Sequence, residues 1–420
     1  MSQVNHQDES EFPWEIGVFD AHCHPTDTMA SVAEICRMKA ATLTVMSTRA
    51  DDQDLVLETA LHLANLDSSN GNAERIVPCF GWHPWFSHQI RDDTAAAKSE
   101  SEDPSPSAAE AKTSHYRKVL KPSPDDDFIL SLPDPKPLSQ LLSETRSRLL
   151  RFPTALVGEI GLDRAFRLPQ PWTQEETESR DGRMTPGSRE GRRLSPHQVR
   201  PEHQKTVLEA QLRLAGELQR PVSVHSVQAH GAVIEVFKKL WSGHERKVVS
   251  KRELKRRNSH AEAHADSDAE DQSQTPQDND KGGNNNNNNN TVQNEREPLP
   301  FPFPPRICMH SYSGPPEPLK QFLHPGNPSD IYFSFSSLIN FGHQSDKSVA
   351  VIKALPDDRL LVESDLHVAG QEMDERLEEV TRQVCDIRGW ALRQGVQQLA
   401  HNWRCFVHGG SDMLSNSLRG

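Results

Sequence analysis

Val18-Phe19-Asp20-Ala21-His22-Cys23-His24 is a short apolar run that ends in Asp-x-His-x-His. Side chains along a β-strand alternate faces with a period of two, which sets Asp20, His22 and His24 on one face and Ala21 and Cys23 on the other. Two imidazoles two residues apart at a strand end are placed to grip one divalent cation. A pair of surface histidines in a loop is the plain alternative, and so short a motif does not choose between them. Its context does.

Seven further apolar, β-rich runs follow, at residues 43–47, 76–80, 155–160, 222–225, 307–310, 331–335 and 360–363. Between them lie stripes at helical spacing: Val32-Ile35-Cys36, Leu55-Leu57-Leu61-Leu63, Leu138-Leu141-Leu142, Val207-Leu208-Leu212-Leu214-Leu218 and Val233-Ile234-Phe237-Leu240. Continuous apolar strands alternating with amphipathic helices indicate a parallel sheet covered by helices. Eight such units predict an α/β fold, a (β/α)8 TIM-type barrel, ahead of a doubly wound open sheet. A last stripe, from Met373 through Trp390 to Leu399, is expected to close the barrel on the outside.

Only 34% of the 420 residues are hydrophobic and 30 are proline, so part of the chain must be solvated loop rather than core. One barrel domain is expected over residues 17–405, between a polar tail at 1–16 and a second tail at 406–420. Three segments break its pattern. Residues 93–137 are rich in Ser, Pro and Asp, and 169–200 are charged with Gly and Pro. Residues 242–305 run from a basic cluster through acidic stretches and seven asparagines to a Pro-rich end. Such compositions bury too little apolar surface to offset ordering entropy, so all three are expected to be largely disordered loop expansions.

The formal charge of −13 excludes broad, charge-driven wrapping of nucleic acid, though not an enzyme that meets phosphates with metal ions in a local cleft. Six cysteines without a CxxC pair suggest neither a zinc knuckle nor a disulfide framework. No apolar run nears the ~20 residues of a membrane span. The start lacks an apolar signal core, and a cytoplasmic or nuclear location is expected.

Chemistry in such a barrel sits at the C-terminal ends of the strands. The first strand ends in His22 and His24, and the third runs into Gly81-Trp82-His83-Pro84-Trp85. The fourth ends in Gly158-Glu159-Ile160-Gly161-Leu162-Asp163, and the fifth in His225. The sixth ends in His310-Ser311-Tyr312-Ser313-Gly314, the eighth in Glu363-Ser364-Asp365. A lone strand histidine is more often a hydrogen-bonded core residue than a ligand, but Glu159 buried between glycines is costly without a cation. Taken together, His22, His24, Glu159, His225, His310 and Asp365 read as a metal centre. Six ligands exceed what one zinc-like ion takes from protein, and suit two divalent ions roughly 3.5–4 Å apart, bridged by one carboxylate. Glu159 is the expected bridge. Mixed His/carboxylate ligation fits zinc or manganese and, less comfortably, magnesium.

As an ordered set, Asp-x-His-x-His, GxHPW, GEIGLD, the strand-5 histidine, His-Ser-Tyr-Ser-Gly and Glu-Ser-Asp resemble the motifs of the TatD family of metal-dependent deoxyribonucleases, within the amidohydrolase-like barrel superfamily. The resemblance spans residues 17–92, 138–168, 201–241 and 306–403, which is every barrel element, and skips the insertions. It implies His22, His24, Glu159 and Asp365 around one ion and Glu159, His225 and His310 around the other. It also implies DNA ends or single strands as substrate, hydrolysed by a water that the ion pair activates. In that chemistry Asp365 is the expected proton acceptor and His83 orients the scissile phosphate, with a structural loop role for His83 as the alternative. Asp20 and Glu363 are expected to support the ligands from behind, and Asp20 has a helix-capping or turn role as its alternative. The large insertions are similar to those of a fungal branch described as interacting with an anaphase-promoting-complex subunit.

Two departures stand out. Many family members carry an arginine two residues after the strand-5 histidine; here that position is Val227, and the next cation candidate is His230. Ser364 replaces a threonine and is expected to point away from the pocket. Two other functions fit the same residues. The metal pair serves amide or lactone hydrolysis equally well. A barrel kept as a scaffold, its insertions contacting a protein partner, is favoured by Val227 and the acidic charge and opposed by the complete ligand set.

Overall fold

Eight parallel strands form the wall of the molecule: β1 (Phe19–Cys23), β2 (Thr42–Met46), β3 (Ile76–Cys79), β4 (Val157–Asp163), β5 (Val222–Val227), β6 (Arg306–Met309), β7 (Asp330–Phe335) and β8 (Leu360–Val362). They are seen in a computed structural model that describes residues 11–70, 74–94, 107–187, 189–248, 300–342 and 345–410. Hydrogen bonding gives two arcs, β1-β2-β3 and β8-β7-β6-β5-β4. The arcs join where Cys79 pairs with Leu156, and again where Asp365 N–H donates to His22 O (3.0 Å) and His24 N–H to Leu366 O (2.8 Å). The ring is closed, the (β/α)8 barrel its eight apolar runs specify, and each run overlaps one strand.

The longer helices are α1 (Ala50–Asn70), α2 (Ala108–Val119), α3 (Leu138–Arg151), α4 (Pro201–Glu217), α5 (His230–Trp241), α6 (Ser345–Ala354), α7 (Gln371–Arg388) and α8 (Leu392–His408). Strand side chains such as Val45, Val157, Val224, Met309 and Phe333 face this outer layer and form the larger core. A second apolar cluster fills the barrel itself, from Val77, Cys79, Leu156, Cys308 and Leu361, and Trp403, Phe406 and Val407 of α8 pack into it. The helix thereby plugs the end of the barrel opposite the strands' C-termini.

Several expectations are corrected. The stripe Val32-Ile35-Cys36 lies in a 3-10 segment, Pro25–Arg37, interrupted at Thr28, rather than in an α-helix. The last stripe is two helices, divided at Gly389, whose φ of +67° suits glycine. Strict alternation fails in β1: its register shifts between Asp20 and Cys23, so Ala21 joins the interior cluster while His22 and His24 still reach the mouth. Phe406 and Val407 are buried, so the core extends past the tail expected from 406, and Phe12 is likewise buried within the tail expected at 1–16.

The first two insertions are not formless where they are described. Helix α2 opens with a capping box, Ser107 and Glu110, and a short helix follows at Asp126–Ser131. Residues 120–121 pair antiparallel with 198–199, and Tyr116, Val119, Leu120, Phe128 and Ile129 from one insertion pack with Val199 from the other and Leu168 beside it. The two segments make one small annex beside the mouth. Neither has a core alone, which is why composition misreads them. Most of the third insertion lies outside the described residues. Its two described ends meet: His244 lies 5.8 and 5.4 Å from the rings of Phe301 and Phe303. These points follow α5 and precede β6, at the plugged end.

Candidate metal centre

The open end of the barrel brings together every ligand candidate. His22 and His24 come from β1 and the residue after it, Glu159 from β4, His225 from β5, His310 from just past β6 and Asp365 from the turn after β8. All are buried except Asp365, whose side chain is 18% exposed. Glu159 turns one oxygen to each of two groups. Its Oε2 lies 3.4 Å from Nε2 of both His22 and His24, with Asp365 Oδ1 a further 3.9 and 3.7 Å from those nitrogens. Its Oε1 lies 2.8 Å from His225 Nδ1, 2.8 Å from His310 Nε2 and 3.0 Å from His83 Nε2.

The outer hydrogen bonds orient the rings. His225 Nε2–H donates to Asp163 Oδ2 (3.1 Å), which gives the neutral ring its lone pair at Nδ1, and His22 Nδ1 pairs with the Ser223 hydroxyl (2.9 Å). Inner nitrogens then face one another, His22 with His24 at 3.1 Å and His225 with His310 at 3.2 Å, next to carboxylate oxygens. Converging lone pairs repel unless a proton or a metal cation lies between them. Tetrahedral ligands with bonds of roughly 2.0–2.1 Å stand about 3.3 Å apart, which these separations match. The donor set therefore fits divalent ions: His22, His24 and Asp365 form one group that could hold one, His83, Glu159 and His225 a second, and His310 groups with His22 and Glu363 rather than with Glu159 and His225 as expected.

The electrostatics of the site divide its histidines, favouring a neutral His24 but protonated His225 and His310 beside Glu159. Burial raises the Glu159 carboxyl, but His83, His310 and His22 more than reverse this and hold it well below the usual range. Burial, with His22 adjacent, drives His24 well down and keeps it neutral. His310 and His225 are pushed down by burial but net upward, His310 by Glu159 and His225 by Asp163 and Glu159. Burial raises Asp365, partly offset by His310 and His22.

The supporting residues depart in part from expectation. Asp20 does not touch the His22 ring; it accepts the N–H groups of His22 (3.0 Å) and Ser364 (3.1 Å) and the Ser364 hydroxyl (2.5 Å), stitching β1 to the turn after β8. These contacts hold backbone and a hydroxyl rather than a ligand ring. Glu363 accepts from Ser311 N–H and hydroxyl and sits 3.6 Å from His310 Nδ1. His83 accepts the Trp85 N–H at Nδ1, which leaves its Nε2–H for Glu159. His230 is no cation: burial pushes it down to about 4, and its Nδ1 is paired with Ser226. Sequence reasoning assigned no role to Ser223 or Asp163, although each shares a strand face with a ligand, Ser223 two residues before His225 and Asp163 four after Glu159. It also missed the Arg49–Asp27–His367 chain (2.7 and 2.8 Å), which sets the His367 ring beside His24.

A closed (β/α)8 barrel with histidines and carboxylates converging at its C-terminal mouth defines the architecture of a metal-dependent hydrolase. The family model described as "TatD related DNase" matches residues 19–408, and the chain belongs to that family. It is 34% identical over 397 residues to "Cut9-interacting protein scn1" of Schizosaccharomyces pombe, covering 93% of this chain and 98% of that protein. It is 24% identical over 355 residues to "Uncharacterized deoxyribonuclease YMR262W" of Saccharomyces cerevisiae, covering 82% of each. Among solved structures, a TatD family hydrolase from Entamoeba histolytica matches with a TM-score of 0.48 and 12% identity, over 94% of this chain and 99% of that one. The TatD homolog YJJV from Escherichia coli K12 matches with a TM-score of 0.45 and 17% identity, over 93% and 97%.

Proposed function

We propose that this chain is a metal-dependent deoxyribonuclease that hydrolyses phosphodiester bonds at DNA ends or in single strands. The observation that supports this most is Glu159, with one oxygen toward each of two histidine groups. Two divalent ions, zinc, manganese or magnesium, held by His22, His24, Glu159 and Asp365 on one side and Glu159, His225 and His310 on the other, would supply an activated water and offset charge developing at phosphorus. Asp365, the most open of the ligands, takes the proton of the attacking water. His83 serves as a positioning residue for Glu159, because both of its ring nitrogens are engaged.

Metal analysis of the purified protein, coupled to digestion of end-labelled DNA, tests this reading. Glu159→Ala and Asp365→Asn are expected to cut the rate by roughly a thousandfold while leaving the protein folded. Unchanged rates in both, after chelation and metal reloading, would refute the assignment. A second reading, that the chain also docks a protein partner, draws support from the name of the fission-yeast relative, which describes that protein as Cut9-interacting.

A further inference from the structure

The loop that leaves β4, Arg164-Ala165-Phe166-Arg167, stands at the mouth and takes no part in the site described above. It is held rigidly. Asp163 Oδ1 accepts the N–H groups of Ala165 (2.7 Å) and Phe166 (2.9 Å), and Arg164 N–H donates to Val227 O (3.1 Å). The Phe166 ring lies parallel to Trp85, centroids 4.6 Å apart and planes at 10°. Trp85 donates its ring N–H to Asp163 Oδ2 (2.6 Å) and sits 6.0 Å from the His225 ring and 4.7 Å from His83. Both aromatic rings remain partly exposed. Arg164 and Arg167 are exposed on either side of Phe166, and among the described residues neither has a carboxylate within 4.0 Å.

Aromatic rings interleaved with cations are the elements from which sequence-tolerant strand binding is built: bases stack on the rings, and guanidinium groups take phosphates through paired N–H donors. We propose that Trp85, Phe166, Arg164 and Arg167 form a nucleotide-binding subsite, with one unpaired base against the Trp85–Phe166 pair and the arginines on the phosphates next to the scissile one. The proposal rests on the nuclease reading for its choice of ligand. Asp163 gives it a fixed reference, since one carboxylate holds both the loop and the His225 ring.

The test uses the full chain and a short, labelled single-stranded DNA, with binding followed by fluorescence anisotropy in metal-free buffer over a salt series and cleavage measured separately with metal. Phe166→Leu keeps the apolar packing but removes the ring, and should weaken binding roughly five- to hundredfold; Phe166→Tyr should restore it. Arg164→Ala and Arg167→Ala should each lower the salt slope of the affinity by about 0.7, and lysine at the same position should recover the slope. Variants that bind with wild-type affinity and slope overturn the subsite, and if they still cleave, the nuclease reading survives. Binding that depends on these residues without cleavage of any DNA upholds the subsite and sinks the nuclease reading. Failure of the wild-type chain to bind the strand sinks the subsite outright.

Discussion

Asp163 shows how one carboxylate divides its work at the residue scale. One oxygen takes two backbone N–H groups of the following loop; the other takes the His225 and Trp85 ring N–H groups. Asp163→Asn presents an amide that cannot accept as strongly, so His225 loses the partner that fixes its tautomer. Metal affinity or DNA cleavage is expected to fall roughly 10- to 100-fold with the fold intact, read by metal titration and by rate. Gly161 is fixed for a different reason: its φ is +154° and an added Cβ would lie 2.0 Å from His225 O. Gly161→Ala must therefore part β4 from β5 beside a ligand. A loss of about 2 kcal/mol or more is expected, measured by denaturant unfolding. The ligand candidates themselves were legible, because polar residues ending apolar strands are conspicuous. Their partners were not, since a serine or aspartate reveals its role only when a second strand supplies the ring it holds.

At the scale of elements, the turn after β3 is pinned by three histidines. His88 pairs with Trp85 O, His115 with His88 O and His203 with Ser87 O, at 3.0, 2.7 and 2.9 Å. Burial pushes His88 down to about 3 and His115 to about 4, and lowers His203. The unfolded chain, with ordinary histidines near 6.5, therefore binds more protons than the folded one between pH 6.5 and about 4. Stability is complete above that window and is lost as pH falls through it, at up to about 1.4 kcal/mol per pH unit for each group. Thermal unfolding from pH 7 to 4.5 should show this slope, and His88→Gln should flatten it relative to the wild type; parallel curves would disprove the account. The strands were legible because buried parallel strands are continuous apolar runs. The annex was not, because its core is shared between two segments that each look too polar to fold. The break at Gly389 was also hidden, since one glycine between two stripes of similar spacing leaves the periodicity nearly unbroken.

For the whole molecule, the candidate site and the third insertion belong to opposite ends of the barrel. The mouth carries the candidate site and the annex; the plugged end carries the paired termini of the third insertion, where His244 meets Phe301 and Phe303. Replacing residues 249–299 with a short Gly–Ser linker is expected to leave the melting temperature and DNA cleavage near wild type, since the joined ends already touch. A large loss of either would show that this stretch supports the barrel. The same deletion tests the partner reading, because a scaffold that lost its contact segment would no longer bind while its hydrolytic rate stayed constant.

Because the chain departs and returns at neighbouring points on the face away from the opening, whatever seizes that stretch can be as bulky as another subunit and still leave the entrance clear. A molecule built this way can be anchored by its back while it works from its front, and neither duty need wait for the other.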